Sequence, residues 1–131
     1  MRLETVMVKV PPTPDHLALL RTVVGGFAGR DDFTLDQVDD LRMAVEEGAV
    51  QLLRHVDDDV ITLEVHSTDA GLELRLYATV ATSEPVIDEA SFSCTILQAL
   101  TDDLRIEMQQ DHATIVMAKH RLNVASEPPH S

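Results

Sequence analysis

Between Thr34 and Val56 the apolar residues Val38, Leu41, Val45, Ala49, Leu52 and Val56 recur at intervals of three and four. That is the period of one face of an α-helix and cannot be laid along a strand, where successive side chains point to opposite faces. Thr34 with Gln37 has the spacing of a capping box, so the start of the helix is marked as well as its buried stripe. The run Asp57-Asp58-Asp59 opposes the negative end of the helix dipole and reads as exposed loop. A helix with a single long apolar stripe needs a second layer to cover it, and the rest of the chain must supply that layer.

The flanking segments supply strands. Leu3 to Val10 alternates, with Val6, Val8 and Val10 on one face. Pro11-Pro12 stops it, and Thr13, Pro14 and Asp15 then provide an N-cap, a first-turn proline and an early acid for another helix. Its stripe is Leu17, Leu20, Val24 and Phe27; Gly25 and Gly26 should weaken its end and Gly29 should close it. Beyond the acidic loop, Ile61, Leu63 and Val65 and then Leu72, Leu74 and Leu76 mark two strands of a hairpin joined through residues 67–71. A loop containing Pro85 leads to a third helix with the stripe Phe92, Ile96, Leu97 and Leu100. Leu104 to Met108 and Ala113 to Lys119 form a second hairpin that turns at Gln110-Asp111. The expected class is α/β (α+β), a two-layer sandwich of one sheet with three helices on one face. The domain is expected to span residues 1–122, with 123–131, which includes Glu127-Pro128-Pro129, as a mobile tail too poor in apolar residues to pack.

Composition narrows the function classes. A length of 131 residues encloses one core without help from disulfides. With 23 acidic against 10 basic side chains the formal charge is -13, which repels polyanions and argues against nucleic acid. Aromatic residues make up only 3% and Trp is absent, which removes the usual base-stacking platform. Cys94 stands alone and reads as a small packing residue. The six histidines show no paired ligand spacing, so no metal site is expected among them. No apolar run is long enough to span a membrane, and a cytoplasmic location is expected.

The long helix also carries a specific pattern. Asp40-Leu41-Arg42-Met43-Ala44-Val45-Glu46-Glu47, followed by Gln51 and His55, resembles the N-box of the GHKL ATPases (gyrase, histidine kinase, MutL), and most of all that of bacterial anti-sigma factors with serine-kinase activity. The likeness runs without an evident gap from Val10-Pro11 to His55, including Pro14, Arg21 and Ala44-Val45, and Thr101-Asp102-Asp103-Leu104 resembles the family's last helix-to-strand corner. The resemblance implies a histidine-kinase-like ATPase (Bergerat) fold with a mixed, mostly antiparallel sheet. It places Glu47 as the residue that orients or deprotonates an attacking hydroxyl, Gln51 where an Asn ligates Mg2+, and His55 one turn further on. Their i, i+4, i+8 spacing would set the three on one helical stripe. Gln51 keeps the amide but adds a methylene, which displaces the oxygen from near-octahedral Mg2+ geometry. Taken without the resemblance, the trio reads sooner as a solvated helix edge than as a site.

Departures from the family pattern concern the nucleotide. The adenine-binding Asp of that family should fall at Ala78, and Val80 stands where a glycine would let the ring approach the backbone. The glycine-rich phosphate loop should fall at Glu89-Ala90-Ser91-Phe92-Ser93, which has no glycine; only Ser91 and Ser93 remain as polar groups at the helix end. Thr82 to Asp88 is too short for the family's ATP lid. No cofactor is therefore expected, although ATP with Mg2+ stays open if the degenerate site still binds. Arg21 matches a position that the family uses for protein contact; on its own evidence it is also an ordinary solvated arginine. The resemblance implies a sigma factor and an anti-anti-sigma (STAS) protein as partners, and a homodimer. The expected function is an anti-sigma-like regulator with an eroded ATP site, the alternative an active serine kinase.

Overall fold

A computed structural model describes residues 3–122. The expected tail, 123–131, lies outside the described residues. The elements follow the expected order: β1 (Thr5–Val10), α1 (Pro14–Arg30), α2 (Leu35–Leu53), β2 (Ile61–Ser67), β3 (Gly71–Thr79), α3 (Phe92–Leu100), β4 (Asp103–Gln109) and β5 (His112–His120). The strands form one sheet in the order β1-β2-β3-β5-β4, and all four pairings are antiparallel, so the mixed sheet implied by the resemblance is antiparallel throughout. Inward residues of the sheet, among them Leu63, Val65, Leu74, Leu76, Ile115 and Met117, form one buried cluster with Leu20, Val24, Leu41, Val45 and Leu52 of the helices. No helix among the described residues is long and apolar enough to cross a membrane.

The capping box of α2 forms in full. Thr34 Oγ1 accepts from the Gln37 amide at 3.2 Å, and Gln37 Oε1 accepts from the Thr34 amide at 3.1 Å. Gln37 also donates to the His120 carbonyl at 2.8 Å, which fixes the start of α2 to the end of β5. At the other end of β5, the left-handed turn at Gln110 (φ 58) joins it to β4. Gly71, at the start of β3, is required by close approach: a Cβ there would lie 1.9 Å from the Lys119 carbonyl oxygen.

Helices α1 and α3 differ from expectation in their ends and their exposed faces. Thr13 occupies the N-cap position of α1 without a side-chain cap bond, because its hydroxyl lies 2.6 Å from His16 Nδ1. Gly29 does not close α1, which continues to Arg30, with Ala28 as well as Phe27 buried, and ends at Asp31 and the left-handed Asp32 (φ 65). Burial of the helix outweighs the weak propensity of its glycines, and Gly25 contributes directly, since a Cβ there would meet Arg42 Cδ of α2 at 3.0 Å. In α3 the expected stripe holds at Leu97, which is buried, and at Ile96 and Leu100, which are half-buried, but Phe92 is 79% exposed and Cys94 is buried in its place. The Ser91 hydroxyl accepts from the Cys94 amide at 3.1 Å, and this cap sets the phase of the helix so that its first residue faces outward.

Candidate functional site

The side of α2 that faces α3 brings three of the expected residues together. Glu47 and Gln51 are one turn apart. Gln51 is buried, and its amide nitrogen donates to Ser93 Oγ at 2.9 Å and to Glu47 Oε1 at 3.3 Å. Ser93 comes from the first turn of α3, so the contact ties the two helices across the place where the phosphate loop was expected. Further along the same seam, Lys119 Nζ donates to Asp40 Oδ2 at 3.1 Å and to the Leu100 carbonyl at 2.9 Å, and thereby uses the first acid of the Asp40–Glu47 pattern to hold β5 and the end of α3.

Other expected residues stand apart from this group. His55 lies beyond α2, which ends at Leu53 with Arg54 as its C-cap, so the stripe does not extend to the i+8 position. The His55 amide donates to the Leu52 carbonyl at 2.9 Å, and its own carbonyl accepts from the Ala81 amide at 2.8 Å. Here the helix end answers to backbone bonding rather than to side-chain period. Ser91 is committed to its cap, and its hydroxyl donates to the Asp88 carbonyl at 2.6 Å, so its proton is not directed to an anion.

Ala78 and Val80 are 4% and 2% exposed and belong to the main apolar cluster. Val80 forms a β-bridge with Val56 just past α2. Val86 and Ile87, read from sequence only as part of a loop, are each 3% exposed and join the same cluster. Their signal was an adjacent apolar pair inside a segment otherwise rich in turn-forming residues, which is too short for periodicity to distinguish. Arg21 Nη1 lies 3.2 Å from Glu46 Oε2, a half-exposed ion pair that joins α1 to α2 beside Glu47. Exposed pairs of this kind contribute little stability, about 0–1 kcal/mol.

On the opposite, helix-free face of the sheet is a polar network that sequence reasoning did not find. Tyr77 donates its phenol proton to Glu64 Oε2 at 2.6 Å, and Glu64 Oε1 lies 2.8 Å from His66 Nε2. The bond to Glu64, reinforced by burial, pushes the Tyr77 phenol up to about 12. The same bond from Tyr77 holds the Glu64 carboxyl below the ordinary carboxylate range, against the opposing effect of burial. Alternation alone put Glu64 and Tyr77 on the outer face of their strands, but their meeting depends on the register that pairs Thr62 with Tyr77.

No protein-family model matches the chain. It is 24% identical over 123 residues to an anti-sigma F factor of Clostridium acetobutylicum, a match covering 82% of this chain and 86% of that protein. It is 23% identical over 139 residues to the serine-protein kinase RsbW of Bacillus thuringiensis, covering 91% of this chain and 86% of the relative. Among solved structures, the RsbU and RsbW domains of Rv1364c from Mycobacterium tuberculosis superpose with a TM-score of 0.68 at 10% identity, over 90% of this chain. The superposition takes in 32% of that solved chain and establishes the likeness of fold.

Proposed function

We propose that this relative of the anti-sigma F factors and of RsbW is an anti-sigma-type regulator, which binds and sequesters a sigma factor or a related protein while its nucleotide site is eroded. The observation that carries the reading is the apolar filling around β3: Ala78, Val80, Val86 and Ile87 are all buried in the core. A methyl group at residue 78 offers adenine no acceptor, and a buried amino group without a partner costs about 1–3 kcal/mol. The Val80 side chain takes space that a glycine would leave open. Gln51, at the position of the magnesium ligand, has its amide nitrogen committed to Ser93 and Glu47. Those bonds leave aside the amide oxygen, the atom that would ligate Mg2+, so the misfit to ATP rests on Ala78 and Val80, at the adenine position.

The half of the reading that concerns a partner is supported by the names of the relatives and by the frame of α1 and α2, on which Arg21 stays half exposed. The partner set is a sigma factor and an anti-anti-sigma (STAS) antagonist, met in the cytoplasm by a homodimer. Calorimetric titration with ATP and ADP, in Mg2+ and up to millimolar ligand, tests the erosion. No heat and no rise in melting temperature are expected; micromolar binding overturns it. Capture of co-expressed sigma factors tests the partner, with Arg21→Ala expected to weaken capture about tenfold, the size of one lost interface anchor. The serine-kinase reading is favoured by one contact, that of Glu47 with Gln51, which keeps a carboxylate poised as a general base. Transfer of labelled phosphate from ATP to a STAS protein would establish it.

A further inference from the structure

The two strands of the second hairpin are covered very differently. On β5, Ala113, Ile115 and Met117 are fully buried; their partners on β4, Met108, Ile106 and Leu104, are only partly so. Helix α3 has nine residues, and the inner face of β4 is only partly covered. Three clefts that share lining residues run along this strand. The first reaches from Glu84 and Ile87 to Ile106, the second from Ile106 and Cys94 to Leu104, and the third from Leu104 to Thr101 and Asp102. Together they make one groove with an apolar floor at Leu104 and Ile106.

The rim of the groove is acidic. Glu84, Asp88 and Glu89 stand on the loop before α3, with Asp102, Asp103 and Glu107 along the strand side. Among the residues lining the three clefts the only cation is Arg105, whose Nη1 lies 3.8 Å from Glu107 Oε2. β4 is also an edge of the sheet, so its outward backbone groups have no strand partner among the described residues. Natural edges are commonly blunted by lysine, proline or a bulge. β4 has none of these, its own charges being Asp103, Arg105 and Glu107, and its register with β5 is unbroken from Asp103 to Gln109, whereas the opposite edge, β1, carries the exposed Lys9.

We propose that this groove takes an extended segment of a protein partner as an added strand beside β4, with apolar side chains on Leu104 and Ile106 and basic side chains against the acidic rim. Main-chain bonding to the edge supplies affinity, and the alternation of the segment supplies specificity. Charge decides against a second copy of this chain as the occupant, since antiparallel pairing of two β4 edges would bring two acidic rims together at a formal charge of -13 per chain. The groove is separate from Arg21 on α1, and the inference stands whether or not the partner is a sigma factor.

A fluorescein-labelled peptide, Lys-Val-Lys-Ile-Lys-Val-Lys, is the probe, followed by anisotropy and by amide hydrogen exchange on the whole chain. Expected are salt-sensitive binding, slowed exchange at residues 103–109, and at least about tenfold weaker binding to the double variant Glu89→Lys/Glu107→Lys, equivalent to about 1.4 kcal/mol. Asp57→Lys/Asp58→Lys, which removes as much charge from a loop that lines none of the three clefts, should change binding by less than about twofold, because screening confines exposed charges to short range. A peptide with proline for the central isoleucine should fail, having lost a main-chain donor. Equal weakening by the two double variants, protection outside β4, equal binding of the proline peptide, or self-association of the chain that the groove variant abolishes would each overturn the proposal.

Discussion

The apolar stripe of α2 and the four apolar residues Ala78, Val80, Val86 and Ile87 are both buried, for opposite reasons. Leu41, Val45 and Leu52 are buried because α2 lies over the middle of the sheet. Ala78, Val80, Val86 and Ile87 are buried at positions where the resemblance calls for an acceptor, a glycine and a movable lid. In a nucleotide-binding relative such a region draws stability from its ligand, by an amount that rises with ligand concentration. On the proposed reading, side chains of the chain itself take that space, and stability should not depend on nucleotide.

The comparison is sharpest in the cost of truncation. Leu41→Ala should cost about 3–5 kcal/mol, as a fully buried leucine does when its cavity cannot collapse. Ile87→Ala should follow at about 2–4 kcal/mol on the same grounds. Urea denaturation measures both. A loss below about 1 kcal/mol at Ile87 would mean that the segment lies on the core as a loose cover, and the two regions would no longer be alike.

The outer face of β3 allows a subtler test, because Tyr77 neighbours Ala78 and points the other way. Tyr77→Phe should cost about 1–2 kcal/mol, the range for a hydrogen bond to a charged acceptor with partial exposure. In the native chain the phenol should titrate by ultraviolet absorbance near 12 rather than near 10.0. Its raised value means that the contribution to stability is complete below the free phenol's titration and is lost as pH rises through about 12. Glu64 is lowered, so its share is present above the ordinary carboxylate range and lost as pH falls through its folded value. Titration near 10.0 would show that the bond to Glu64 is not kept in solution. The smallest effect expected is Thr34→Ala, about 1 kcal/mol for the loss of one cap, seen as a lower denaturation midpoint with an unchanged slope.

The same contrast explains what could be read from the chain beforehand. The reading from period was sound along α2 from Val38 to Leu52 and on the inward faces of β2 and β3, and the hairpin turn fell at Gln110 as expected. The reading failed where backbone bonding or tertiary contact decides. Phe92 follows the phase imposed by the Ser91 cap, His55 falls beyond a helix end set by the amides around Leu52, and α1 passes through Gly29 because its flank is buried. At the candidate site the pairing of Glu47 with Gln51 followed from helical spacing, whereas the bond to Ser93 joins residues 42 positions apart and has no local signature. The burial of Val86 and Ile87 was equally hidden, since two apolar residues among turn formers carry no period.

Gly71 has a meaning beyond its own strand. A side chain there would strike the Lys119 carbonyl oxygen and come within 2.8 Å of His120 Cα, both of them backbone atoms that cannot rotate away. The residue is therefore dictated by how the sheet closes and not by what the protein binds. Divergence that erased the glycines of a ligand loop would be expected to spare this one. In copies of the fold too distant for side chains to be matched, it offers a fixed mark from which the spacing of the strands can be counted.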